Sequence, residues 1–238
     1  MGKTIKGYIF DYGGTIDTAG CHWGKMLWHA YQRQGVNVSE AQFRAAYVFA
    51  EKTLSQSPLI RPSDTFRKTL EVKIRIEMEH LMTSGAWDAD EAEFRAKHLA
   101  VWNDLYQKVE TTVAHSKQVL TTLHARYPMV LVSNFYGNIN AVLKEFGLDE
   151  LFMGVIESAV VGYRKPDLRL FSLGVETLGL KPEEVVMVGD SFYKDILPAQ
   201  RVGCQTVWLK GEGWNKESYD ERVPDRVITC LDQLLPSE

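Results

Sequence analysis

A chain of 238 residues with a formal net charge of −4 and 45% hydrophobic residues is long enough to bury a full core. Its scattered Lys and Arg give no reason to expect nucleic acid as a partner, and no apolar run is long enough to span a bilayer. Cys21, Cys204 and Cys230 lack CxxC spacing and read as free thiols of a reduced, cytoplasmic protein.

The first seven residues lack the apolar segment of a secretion signal, and Lys6 sits where a myristoylation pattern needs Ser or Thr. Residues 6–11 then form a short apolar run that ends in Asp11. Such an unalternated run suits a strand buried on both faces of a parallel sheet. Helical spacing follows. Trp23, Met26, Leu27, Ala30 and Tyr31 share one face, and Gly35 stops it. Ser39 with Gln42 three residues on reads as a capping box, ahead of a stripe of Phe43, Ala46, Tyr47 and Ala50. Pro58 and Pro62 interrupt, and Phe66, Leu70, Ile74, Met78 and Met82 recur every four residues. Phe94, His98, Val101, Trp102 and Leu105 make a fourth helix. Residues 18–112 are therefore expected to be a helical bundle inserted after the first strand. The remainder, 1–17 with 113–238, is expected to be an α/β core.

In that remainder the rhythm alternates. Helices are expected at 116–126, 138–146, 166–178 and 195–201. Strands are expected at 129–133, 154–156, 185–190, 206–209 and 227–228, and residues 231–235 close the chain. The fold class expected is a doubly wound parallel sheet with a helical insertion. Ligands of such sheets sit beyond the carboxyl ends of the strands. Asp11, Asp190 and Asp195 should meet there, and Mg²⁺ suits three clustered carboxylates that otherwise repel one another.

Four segments give the chain a family likeness: Asp11-Tyr12-Gly13-Gly14-Thr15, Leu131-Val132-Ser133-Asn134, Tyr163-Arg164-Lys165-Pro166-Asp167 and Gly189-Asp190-Ser191-Phe192-Tyr193-Lys194-Asp195-Ile196. In this order and at this separation they resemble the haloacid dehalogenase superfamily, its Mg²⁺-dependent phosphatase branch with a helical cap above all. The resemblance implies Asp11 as nucleophile, forming an aspartyl-phosphate. It implies Asp11, Asp190, Asp195 and the backbone carbonyl of Gly13 as metal ligands. Ser133, Asn134, Lys165 and Thr15 match positions that hold phosphate or orient the nucleophile, and Lys165 neutralises charge there. The implied substrate is a small phosphorylated metabolite, and both monomer and homodimer stay open.

One position departs from the pattern. The phosphatases carry a second aspartate two residues after the nucleophile, a general acid and base, and here Gly13 takes its place. Activity restricted to good leaving groups such as acyl or aryl phosphates is one consequence. A proton supplied by Asp17 or His22 is another. A third is phosphonoacetaldehyde-hydrolase-like C–P cleavage, for which Lys52 would form the Schiff base. A catalytically weak or inactive phosphate-ligand binder is a fourth, and haloacid dehalogenation, whose enzymes also lack the second aspartate, a fifth. The cap aromatics Trp23, Trp28, Tyr31, Phe43, Tyr47 and Trp102 read as bundle core, and Arg61, Arg67, Lys73 and Arg75 as a solvated helix face.

Overall fold

Strand β1 (Gly7–Phe10) lies in the middle of the molecule because every side chain on it is apolar or glycine and all four residues are buried. The computed structural model describes residues 4–215 and 218–236; the N-terminal Met1–Lys3 that bears on leader peptides lies outside them. Six strands form one wholly parallel sheet: β1, β2 (Met129–Ser133), β3 (Gly154–Glu157), β4 (Val185–Gly189), β5 (Gln205–Leu209) and β6 (Arg226–Ile228). Their spatial order is β3-β2-β1-β4-β5-β6. This order reverses direction between β1 and β4, and that is where a doubly wound sheet opens a crevice at its carboxyl edge.

Both faces of the sheet are covered, which explains the unalternated runs. Ile9, Val130, Val132 and Met187 pack under α7 (Leu168–Leu178), through Leu170 and Phe171. Tyr8, Phe10, Leu131 and Val188 belong to a second cluster that continues without a break into Tyr31, Phe43 and Met78 of the helical insertion. That insertion holds α1 (Trp23–Arg33), α2 (Glu40–Gln56), α3 (Phe66–Thr83) and the start of α4 (Glu91–His124). The capping box forms as expected: Ser39 Oγ accepts from Gln42 N, and Gln42 Oε1 accepts from Ser39 N.

Helix α4 differs from expectation. It runs 34 residues as one helix, roughly 50 Å, straight through positions 112 and 113. No Gly or Pro stands between Leu105 and Ser116 to stop it. Thr111 and Thr112 are tolerated because each hydroxyl donates to the carbonyl four residues back. Past β2 come α5 (Ile139–Phe146) and a short α6 (Ser158–Val161), the latter not evident from periodicity. Before α8 (Leu197–Val202), residues Phe192–Ile196 make one wide π-helical turn, in which Ile196 N donates to Ser191 O, five residues back. This places Asp195 ahead of the helix instead of within it. No helix of the described residues is long and apolar enough to cross a membrane.

Candidate active site

Phe10, the last residue of β1, is in register with Leu131 of β2 and Val188 of β4. Asp11, the β2 terminal residue Ser133 and, one residue past β4, Asp190 therefore meet at one edge of the sheet. Asp11 is 6% exposed. Its Oδ1 accepts from Tyr12 N at 2.7 Å and from Ser133 Oγ at 3.0 Å, and it pairs with Lys165 Nζ at 2.8 Å. Three donors on one oxygen fix the carboxylate plane, while Oδ2 faces no protein donor among the described residues.

Lys165 Nζ also reaches Asp195 Oδ1 at 2.6 Å, so one ammonium bridges two carboxylates. Burial opposes its charge, but Asp11 and Asp195 outweigh burial and hold its pKa above the ordinary lysine value. Asp195 Oδ2 accepts from Ser191 N at 3.0 Å, and burial, reinforced by Asp11 and partly offset by Lys165, pushes its carboxyl up to about 6. Asp190 lacks such a partner. Burial first, then Asp195 and Asp11, raise its pKa well above the ordinary value. Carboxylate oxygens of Asp11, Asp190 and Asp195 lie within 4.8 Å of one another. One lysine cannot balance three such charges, and hard oxygen donors at this spacing suit a divalent cation such as Mg²⁺.

The side chains of Thr15 and Asn134 are engaged within the site. Thr15 Oγ1 donates to Asp190 Oδ1 at 3.1 Å and accepts from Asp190 N at 3.0 Å, so it braces Asp190 and not Asp11. Asn134 holds the backbone of Lys165 from both sides: its Nδ2 donates to Lys165 O, and its Oδ1 accepts from Lys165 N. Gly14 is required where it stands. Its φ is +96°, and a Cβ there would lie 2.4 Å from the Asp190 carboxylate.

The candidates for the missing proton donor are placed less favourably. Asp17 is fully buried beneath the turn, with Oδ1 accepting from Gly14 N at 2.7 Å and Oδ2 from Trp23 Nε1 at 2.9 Å. Burial pushes its carboxyl up to about 7, but both oxygens are engaged and it does not line the cavity. His22 does line the cavity. Its Nδ1 accepts from Gly24 N at 3.0 Å, capping α1, and burial lowers its pKa to about 4, so the ring is neutral at pH 7. Lys52 is exposed on α2, outside the cavity, and supplies no amine to it.

The cavity between sheet and insertion measures about 590 Å³. Sequence reasoning missed three of its features. Glu51, beside Lys52, faces inward. Lys73, expected on a solvated face, is 6% exposed and paired with Glu51. Trp214, in the loop after β5, roofs one side; Arg44 of α2 lies 3.8 Å over its ring and donates to its carbonyl at 3.0 Å. The signal for Lys73 was present: Thr69, Lys73 and Glu77 form a polar row beside the apolar row of Leu70, Ile74 and Met78. Among the aromatics, Tyr31 and Phe43 are core as expected, whereas Trp23 and Tyr47 face the cavity.

Glu77 closes that polar row. It is fully buried, its Oε2 accepts from Tyr31 Oη at 3.0 Å, and its Oε1 has no partner among the described residues. Burial, opposed by Lys73, pushes its carboxyl up from 4.5 to about 8. Between those values the unfolded chain loses this proton while the folded chain keeps it, so stability falls as pH rises. Glu77→Gln removes the ionisation. Its stability should approach that of the wild type near pH 4.5 and gain on it by up to about 1.4 kcal/mol per pH unit toward pH 8. Urea denaturation across this range checks the prediction, and a pH-independent gap contradicts it.

Comparison with known proteins follows the same lines. The family model described as haloacid dehalogenase-like hydrolase matches residues 5–203. Glyceraldehyde 3-phosphate phosphatase of Pyrococcus furiosus is 40% identical over 89 residues, 37% of this chain and 37% of that protein. The chain thus spans little more than a third of that relative's length. Phosphoglycolate phosphatase of Vibrio cholerae serotype O1 is 30% identical over 241 residues, 98% of this chain and 96% of that protein. A dehalogenase crystallised with an intermediate complex shares the fold at a TM-score of 0.63 and 16% identity, over 98% of this chain and 97% of that one. With the family model matching most of its length and the four motifs gathered at one sheet edge, this chain belongs to the haloacid dehalogenase-like hydrolase family.

Proposed function

We propose that the protein is a Mg²⁺-dependent phosphohydrolase acting on a small phosphorylated metabolite, with Asp11 as nucleophile. The observation that carries this reading is the ammonium of Lys165 set between Asp11 and Asp195, with Asp190 unneutralised beside them. The two phosphatases similar to this chain support it. Residues 18–112 act in this reading as the cap that excludes water from the site.

Asp11 attacks phosphorus and the alcohol departs, leaving an acyl phosphate that water hydrolyses. Ser133 Oγ and Tyr12 N orient the attacking carboxylate, and Lys165 screens its charge from the incoming phosphate. Asp11, Asp190 and Asp195 would hold Mg²⁺, with the Gly13 carbonyl as a further ligand. Bound there, the ion neutralises phosphoryl charge and aligns the group for transfer. The Schiff-base alternative loses its lysine, because Lys52 is exposed, and Lys73 is no substitute: Glu51 and its neighbours hold it charged against the cost of burial.

Phosphate release from p-nitrophenyl phosphate and a panel of phosphorylated metabolites, with Mg²⁺ or with excess chelator, tests the reading. Chelation should cut release by about 10²-fold or more. Unchanged release in chelator, or none in Mg²⁺, rejects it.

A further inference from the structure

The space above Gly13 is walled by rings and has a buried ammonium beside them. Trp23 is the nearest wall: a Cβ on Gly13 would lie 3.8 Å from its indole, whose orientation is fixed by the hydrogen bond to Asp17. Tyr47 and Trp214 continue the wall, their centroids 4.9 Å apart, and both line the cavity. Lys73 Nζ sits 4.8 Å from the Tyr47 ring and 5.8 Å from the Trp23 ring. It donates to Glu51, which also accepts from Tyr136 Oη on both oxygens. Of its three N–H groups, two face no protein acceptor among the described residues. A side chain that is more than nine-tenths buried and has donors to spare points to a ligand acceptor.

Gly13 supplies the second half of the argument. Gly13 brings no carboxyl group to the leaving oxygen, Asp17 has both oxygens engaged, Glu51 is paired with Lys73, and His22 Nδ1 is used on Gly24 N. The alcohol must therefore leave as its anion. An alkoxide is a poor leaving group, with a conjugate acid near the 15.7 of water, whereas a phenol like that of Tyr ionises near about 10.

Building on the phosphohydrolase reading, we propose that the substrate is an aryl phosphate. Its ring rests against Trp23, Tyr47 and Trp214, and its departing phenolate oxygen is stabilised by Lys73. Asp11 forms the new bond to phosphorus and the P–O(aryl) bond breaks, with the electron pair staying on the phenolate oxygen. Water then attacks phosphorus and breaks the bond to Asp11. The proton that water loses ends on the phenolate, so phenol and phosphate are the products. Acyl phosphates leave as readily, but a small one leaves most of the 590 Å³ cavity unfilled.

The experiment uses the full chain with Mg²⁺. Inhibition by phenylphosphonate and by methylphosphonate reads ring binding without chemistry, and the phenyl compound should bind at least roughly tenfold more tightly. Turnover of phenyl phosphate should exceed that of benzyl phosphate, which has the ring but an alkoxide leaving group, by roughly 10²-fold or more. Lys73→Met should lower the ratio of phenyl phosphate to acetyl phosphate turnover about tenfold. If that variant does not fold, the phosphonate comparison on the wild type still decides. Equal inhibition by the two phosphonates overturns the proposal, even where acetyl phosphate is hydrolysed and the phosphohydrolase reading stands. Failure to hydrolyse any phosphate overturns both.

Discussion

Asn in place of Asp11 is expected to lower Mg²⁺-dependent phosphate release by roughly 10³–10⁶-fold while leaving the fold intact. The amide retains an oxygen for Tyr12 N and Ser133 Oγ, so the side chain stays oriented. Lys165 keeps its contact with Asp195 and remains compensated. What disappears is the nucleophilic oxygen and one negative charge. Because three carboxylates crowd within 4.8 Å, losing that charge also relieves repulsion, and the melting temperature should not fall. Phosphate release and thermal unfolding, measured on the same preparation, check both halves. Retained turnover would assign the nucleophile elsewhere.

The second large effect runs the other way. Gly13→Asp should raise turnover of alkyl phosphates by about 10²–10⁴-fold, the usual worth of general acid–base help. The gain on p-nitrophenyl phosphate should be much smaller, since its leaving group needs no proton. The site has room for the change. A Cβ on Gly13 meets only Trp23, at an ordinary 3.8 Å, and the backbone is not left-handed there. Gly14 is the opposite case, with Asp190 at 2.4 Å. A carboxyl at 13 would enter the cavity beside Trp23, where partial burial raises its pKa and suits it to donate a proton. Steady-state kinetics on ethyl phosphate and p-nitrophenyl phosphate decide the matter: an equal gain on both, or no gain, rules it out.

The sheet was legible because its strands are short, apolar and unalternated, and because β1 and β4 each end in a turn bearing an acid. That pattern alone places Asp11, Asp190 and Asp195 at one sheet edge. The helical insertion was legible in its stripes, but not the joining of two expected helices into α4, since a lack of breakers is weaker evidence than a breaker. Side-chain partners were harder still. Thr15 was expected to hold phosphate or orient the nucleophile, and its hydroxyl is bonded to Asp190; the bonds from the Asn134 side chain to the Lys165 backbone were not foreseen. Lys73 and Trp214 were hidden for a physical reason. A charged residue on a helix is usually solvated, and a tryptophan in a loop declares no partner until Arg44 and Tyr47 come to it from another part of the chain.

The strand order bears on how the chain comes together. Tyr8 pairs with Met129 on one side and Val186 on the other, so the first strand made lies inside the sheet and waits for both its neighbours. On a ribosome adding about 5–20 residues per second, β1 waits unpaired while all four helices of the insertion emerge. Those helices rest on contacts local in sequence, which form quickly. Once packed, they replace a long floppy connection between β1 and β2 by a folded one, which lowers the entropic cost of pairing the two strands. The inserted helices thus shorten the search by which β1 meets the strands whose carboxyl ends lie beside its own.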